Sequence, residues 1–105
     1  MAKSLSLNDI KSGLYIEARE RQLYVDGKVT DKLENVIIIL TTKAGEIQVV
    51  LPPAEGKADE FNRKYSFGDV LEIETLAAIE DIRISIYKDE LRVKFIGTYI
   101  EEESL

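Results

Sequence analysis

The side chains in this sequence with binding chemistry to offer are cations interleaved with tyrosines. Arg83, Ser85 and Tyr87 alternate with Ile82, Ile84 and Ile86, and Arg92 and Lys94 alternate with Val93 and Phe95. Period-two alternation of this kind puts the polar set of each segment on one face of a strand. A second concentration comprises Tyr15, Arg19, Arg21, Tyr24, Lys28 and Lys32, and Lys43 stands between two β-branched runs. Cations neutralise phosphates and flat rings stack on unpaired bases, so both regions hold the ingredients for binding a single-stranded nucleic acid. A plainer reading fits the same residues. Basic and acidic strand faces can simply pair, Arg92 or Lys94 against Glu72 or Glu74, while Glu17, Glu20 and Asp31 dilute the first region. Tyrosines are also common half-buried residues at strand ends.

Other chemistries are poorly served. The 105 residues include no cysteine and no histidine, which removes disulfides, thiol catalysis, the usual metal ligand and the usual general base together. Glu72 and Glu74 would share a strand face, but a carboxylate pair becomes an acid and a base only through burial or a close partner. Asp26, Asp31 and Glu34 lack the spacing of a calcium loop, and the six glycines are scattered singly rather than gathered around a phosphate. The expectation is a non-enzyme with no cofactor and no metal. Fourteen Lys and Arg against twenty Asp and Glu leave a net charge of -6, which opposes indiscriminate nucleic-acid binding and asks for a local basic face instead. No apolar run approaches the roughly 18 residues of a membrane span. With no signal-peptide core at the amino terminus, the expected location is the cytoplasm, away from membranes.

These side chains need a sheet to hold them. Residues 13–100 read as one β-rich domain, preceded by a lead-in over 1–12, with a turn of helix after Ser6-Leu7-Asn8-Asp9, and followed by an acidic tail over 101–105. From Leu14 the pattern sets Leu14, Ile16 and Ala18 on one face and Tyr15, Glu17 and Arg19 on the other. The apolar positions then switch parity to Leu23 and Val25, so a bulge is expected within Arg19 to Gln22. Asp26-Gly27 offers a turn, and Lys28 to Glu34 reads as a polar excursion. Asn35 to Leu51 is a hairpin apolar on both faces, which belongs mid-sheet. With Ala44 and Gly45 as its loop, Leu40 lies opposite Val49 and Ile38 opposite Leu51. Thr41, Lys43 and Gln48 then fall on or near its outward face.

Pro52-Pro53 stops the pairing. Ala58 to Tyr65 has Phe61 and Tyr65 at helical spacing, with acids early and bases late, and predicts a short helix. Val70 to Leu76, Ile79 to Tyr87 and Leu91 to Tyr99 complete the strands. In the last hairpin, a three-residue loop would put Arg92 and Lys94 on the isoleucine face, where each unpaired cation costs on the order of several kcal/mol. Pairing Tyr87 with Arg92 avoids this and leaves Arg83, Ser85, Tyr87, Arg92 and Lys94 as an outward stripe with no carboxylate in it.

A bent first strand, a hairpin, a short helix, a strand and a final hairpin predict an all-β, OB-fold-like small barrel, with the helix between the third and fourth strands. Three segments resemble a narrower group: Val25-Asp26-Gly27-Lys28-Val29-Thr30-Asp31-Lys32, Ile47-Gln48-Val49-Val50-Leu51-Pro52, and Phe67-Gly68-Asp69 before a strand. They look like the small proteins encoded beside relaxase and coupling-protein genes in Gram-positive integrative and conjugative elements, some of which act as helicase processivity factors. Thr75-Leu76-Ala77-Ala78 departs from that family's Asn-Pro-Arg-like turn. The resemblance implies an accessory that binds single-stranded DNA weakly and salt-sensitively beside a helicase or replication protein of a mobile element or phage. The alternative is a protein-interaction module, an OB-like adaptor or oligomeric scaffold, without nucleic acid. Glu101, Glu102 and Glu103 are either a solubilising end or a contact for the partner enzyme. Apolar strand faces on a poorly closed barrel also leave self-association open.

Overall fold

The structure, a computed structural model, describes residues 11–43 and 45–100. The suggested turn of helix near Ser6 and the acidic tail lie outside the described residues. Six strands and two short helices follow in order: β1 (Ser12–Val25), β2 (Lys28–Thr42), β3 (Gly45–Leu51), α1 (Lys57–Lys64), β4 (Val70–Glu72), α2 (Ile73–Leu76), β5 (Ala78–Tyr87) and β6 (Glu90–Thr98). They form one curled, barrel-like sheet in the order β4-β1-β2-β3-β6-β5, antiparallel except for the parallel pair β3–β6. The expected all-β, barrel-like fold with a short helix between the third and fourth strands is therefore what the chain forms. β4 and β5 are the two edges of the sheet, and α2 connects them.

The core lies on the inner face, where Val36, Ile38 and Leu40 of β2 meet Ile47, Val49 and Leu51 of β3, all at most 1% exposed. Burying each such side chain contributes about 1.5 to 3 kcal/mol, so this hairpin is the main anchor of the fold. Ile37 and Ile39, on the opposite face of β2, are buried as well, as a mid-sheet hairpin apolar on both sides requires. Its register is two residues from the expected one. Leu40 pairs with Ile47 and Ile38 with Val49, because Thr42 pairs with Gly45 and the loop falls before the glycine rather than on it. A shift of two leaves every side chain on its face. Gly45 (φ 128°) lies instead where β3 begins to run beside β6, and a Cβ there would sit 2.7 Å from the Leu91 carbonyl oxygen.

The first strand departs further. The irregularity expected within Arg19 to Gln22 is there, between Arg21 and Gln22, with another between Gln22 and Tyr24, but an additional one falls earlier, between Tyr15 and Glu17. Leu14 is consequently 42% exposed and Tyr15 only 1%. The predicted inward set Leu14, Ile16 and Ala18 is thus split, and Tyr15 takes the core position. Lys28 to Glu34 is strand rather than excursion, closing a long β1–β2 arm on Asp26 and Gly27, both at positive φ as a two-residue type I′ turn demands. The strand expected over Val70 to Leu76 is only three residues long. Ile73 and Leu76 turn into α2 and bury their side chains against the core.

Helix α1 matches its predicted polarity, with Asp59 and Glu60 in the first turn and Arg63 and Lys64 in the last. It is tied to β1 by Asn62. The Ala18 N–H donates to Asn62 Oδ1 and Asn62 Nδ2 donates to the Ala18 carbonyl, each at 2.8 Å. Those backbone groups lie past the end of the β4 pairing, and the amide takes the place of a neighbouring strand.

Candidate nucleic-acid interface

The last hairpin also sits two residues from its expected register. Tyr87 pairs with Glu90, Ser85 with Arg92 and Arg83 with Lys94, around a loop of Lys88 and Asp89 at φ 50° and 64°. The even shift again preserves the faces, so Arg83, Ser85, Tyr87, Arg92 and Lys94 do form one outward stripe. It is not free of carboxylates, however. Glu90 stands opposite Tyr87, and the parallel pairing sets Glu46 of β3 beside Arg92 and Gln48 beside Lys94. Arg92 Nη1 lies 4.0 Å from Glu46 Oε2, and Arg83 Nε lies 3.3 Å from Asp81 Oδ2. The opposite face of the hairpin is less buried than its isoleucines predict. Val93 and Phe95 are in the core, but Ile84 is 55% and Ile86 76% exposed, since the hairpin outruns the barrel.

The stripe borders a groove of about 300 Å³ lined by Arg21, Glu46, Gln48, Ser85, Tyr87, Arg92, Val93 and Lys94. Arg21 comes from the β1–β2 arm, so two basic regions far apart in sequence contribute to one concave surface. The Tyr87 ring is half exposed and has the Arg92 guanidinium 5.0 Å and the Lys88 ammonium 5.4 Å from its centroid. Such cation–π contacts hold the ring and the guanidinium in place, each contributing about 0.5 to 1 kcal/mol at an exposed site. Two buried polar atoms of the groove residues, Gln48 Oε1 and Arg92 Nε, have no hydrogen-bond partner. Buried polar atoms are normally satisfied, so these two are a local cost to stability; closed to solvent, they are not groups that a ligand could contact.

The other expected contacts do not join this groove. Tyr15 is in the core, its hydroxyl donating to Asn62 Oδ1, and burial pushes its phenol up to about 12; it offers no face for stacking. Arg19 pairs with Glu17 at 4.0 Å. Tyr24 and Lys28 are exposed toward the tip of the β1–β2 arm, and Lys43 is exposed in the β2–β3 loop. Lys32 lines a separate hollow whose other charged residues are Glu20, Asp31 and Glu55, a poor setting for phosphate. Glu101, Glu102 and Glu103 lie outside the described residues. No group of three acidic residues suited to a metal occurs among the described residues, and none of their helices is long and apolar enough to cross a membrane.

A further hollow of about 330 Å³ lies between α1, α2 and Tyr99. Its cations are occupied, Lys57 by Glu60 at 3.4 Å and by the Tyr99 ring, Lys64 by the Tyr65 ring. The Tyr99 hydroxyl donates to the Pro52 carbonyl at 2.6 Å. The groove on β3, β5 and β6 is thus the better candidate. Sequence reasoning missed Glu46 as part of it, because nothing local signals a parallel pairing between strands almost forty residues apart. No known family, curated protein or solved structure matches the chain.

Proposed function

We propose that this protein binds single-stranded DNA in the groove between its two long hairpin arms, as an accessory to a helicase or replication protein. The observation that carries the reading is the convergence of Arg21 from one arm with Tyr87, Arg92 and Lys94 from the other. Three cations follow a phosphate backbone and Tyr87 stacks a base. We further read the architecture as an OB-fold whose fourth strand is interrupted by α2, so that β4 and β5 are its two halves. In that fold the outer face of the second and third strands, flanked by two loops, is the usual platform for oligonucleotides. The accessory role rests on the resemblance of Val25 to Lys32, Ile47 to Pro52 and Phe67 to Asp69 to helicase processivity factors of conjugative elements.

A protein-interaction module is the second reading. It is favoured by the pairing of Arg83 with Asp81 and of Arg92 with Glu46, which leaves the stripe less positive than its cations alone suggest. Fluorescence anisotropy of a labelled oligo-dT at low salt separates the two. Saturable binding that falls with salt supports the DNA reading, and no change at high micromolar protein supports the module.

A further inference from the structure

Strand β5 is the long open edge of the sheet. It pairs with β6 on one side, and among the described residues no strand pairs with its other side. The opposite edge, β4, is only three residues long, a common protection against edge-to-edge pairing. β5 runs for ten residues without proline, and its register irregularity, between Ile79 and Asp81, leaves Asp81 to Tyr87 regular. Over that stretch Ile84 and Ile86 are exposed on the face turned away from the groove. A two-residue loop is closed by a hydrogen-bonded pair, here Tyr87 and Glu90. Alternation then directs the backbone groups of Arg83, Ser85 and Tyr87 toward β6 and those of Ile82, Ile84 and Ile86 toward the open edge.

We propose that a second copy of this chain occupies this edge, pairing antiparallel along β5 about a two-fold axis at Ile84. Among the self-pairings that set isoleucine against isoleucine, the charges choose between neighbours. An axis at Arg83 puts two guanidinium groups opposite each other and Glu80 opposite Ile86. An axis at Ser85 puts Asp81 opposite Asp89 and Ile82 opposite Lys88. With the axis at Ile84, Ile82 meets Ile86 and Arg83 meets Ser85, and Glu80 of each copy, at the irregularity just before the paired stretch, comes to the same end as Lys88 of the other, in the turn just after it. Opposite charges then close both ends of an apolar pairing, the self-complementarity that a two-fold interface needs. The outward-pointing backbone groups of Ile82, Ile84 and Ile86 gain partners in the same step. The two basic stripes meet at the axis through Arg83 and Ser85. The pairing itself requires no nucleic acid.

Sedimentation equilibrium of the full chain from low to high micromolar concentration tests this. The expected mass rises to twice that of the monomer. Ile84→Lys, which sets two ammonium groups together on the axis at an exposed position, keeps the far-ultraviolet circular dichroism of the wild type and stays monomeric. Glu80→Lys weakens dimerisation several-fold, and adding Lys88→Glu restores it, a rescue that misfolding could not produce. A wild-type chain that is monomeric throughout, a dimer indifferent to Ile84→Lys, or no rescue by the charge swap overturns the proposal.

Discussion

Arg92 and Glu46 stand side by side on neighbouring parallel strands, with 4.0 Å between guanidinium nitrogen and carboxylate oxygen. The same guanidinium lies against the Tyr87 ring. One arginine therefore links a carboxylate and an aromatic ring on the same outward surface. Both sides of the ion pair are substantially exposed, so its contribution to stability is small, about 0.2 to 1 kcal/mol. Its effect on a ligand is larger in kind. Glu46 competes with a phosphate for Arg92 and repels the approaching strand.

Glu46→Gln should therefore tighten oligo-dT binding by roughly two- to five-fold at low salt, an effect of about 0.5 to 1 kcal/mol that fades as salt screens it. Parallel anisotropy titrations of the two proteins check this. Equal affinities would remove Glu46 from the site.

Asn62 bonds to both backbone groups of Ala18 and to the Tyr15 hydroxyl. Asn62→Ala leaves these groups short of partners and should lower unfolding free energy by about 3 kcal/mol, the sum of a few unsatisfied polar groups. Urea denaturation measures it. A loss well under 1 kcal/mol would mean that water replaces the amide, as only an accessible site permits.

Burial raises the Tyr15 phenol from 10.0 to about 12, outweighing the lowering influence of the nearby Ala18 backbone N–H; Glu17 adds to the rise. The unfolded chain thus loses this proton first. Stability from Tyr15 is complete below about pH 10 and is lost as pH climbs through about 12. Tyr99, raised to about 12 by burial and then by Glu20, acts in the same direction. Unfolding free energies of wild type and Tyr15→Phe between pH 9 and 12, on the order of the ordinary tyrosine range, should converge as pH rises. Parallel curves would show that Tyr15 ionises equally in both states.

Asp89 adopts φ 64° in a turn that favours glycine. Asp89→Gly should stabilise the protein by about 0.5 to 1 kcal/mol, by relieving a left-handed residue with a Cβ. Thermal melts at fixed pH read the change, and a lower melting temperature would contradict it.

These residues also explain what could be read from the sequence. Faces were legible where alternation is strict, as in Ile82 to Tyr87, and the apolar run of Val36 to Leu40 marked a strand buried on both faces whatever the loop. Registers were not. Lys88-Asp89 adopts positive φ without a glycine to signal it, and Gly45, which looks like a turn residue, is needed beside Leu91. Tyr15 was misassigned because the bulge at Ile16 has no side-chain signature, and its partner Asn62 lies in a helix 47 positions away. The stripe of Arg83, Tyr87, Arg92 and Lys94 came from local pattern. Its meeting with Arg21 and Glu46 depends on pairings between distant strands.

Arg21, Arg92 and Lys94 with Tyr87 are proposed to hold a single strand. The most direct test of this is the salt dependence of oligo-dT anisotropy for the wild type, Arg92→Ala and Tyr87→Ala. Three phosphate contacts predict a log–log slope of about -2, reduced by about 0.7 in Arg92→Ala. Tyr87→Ala should keep the slope and lose about 1 to 3 kcal/mol, roughly five- to 150-fold in Kd. Absence of binding at low salt, or affinity and slope unchanged in both variants, would contradict the account.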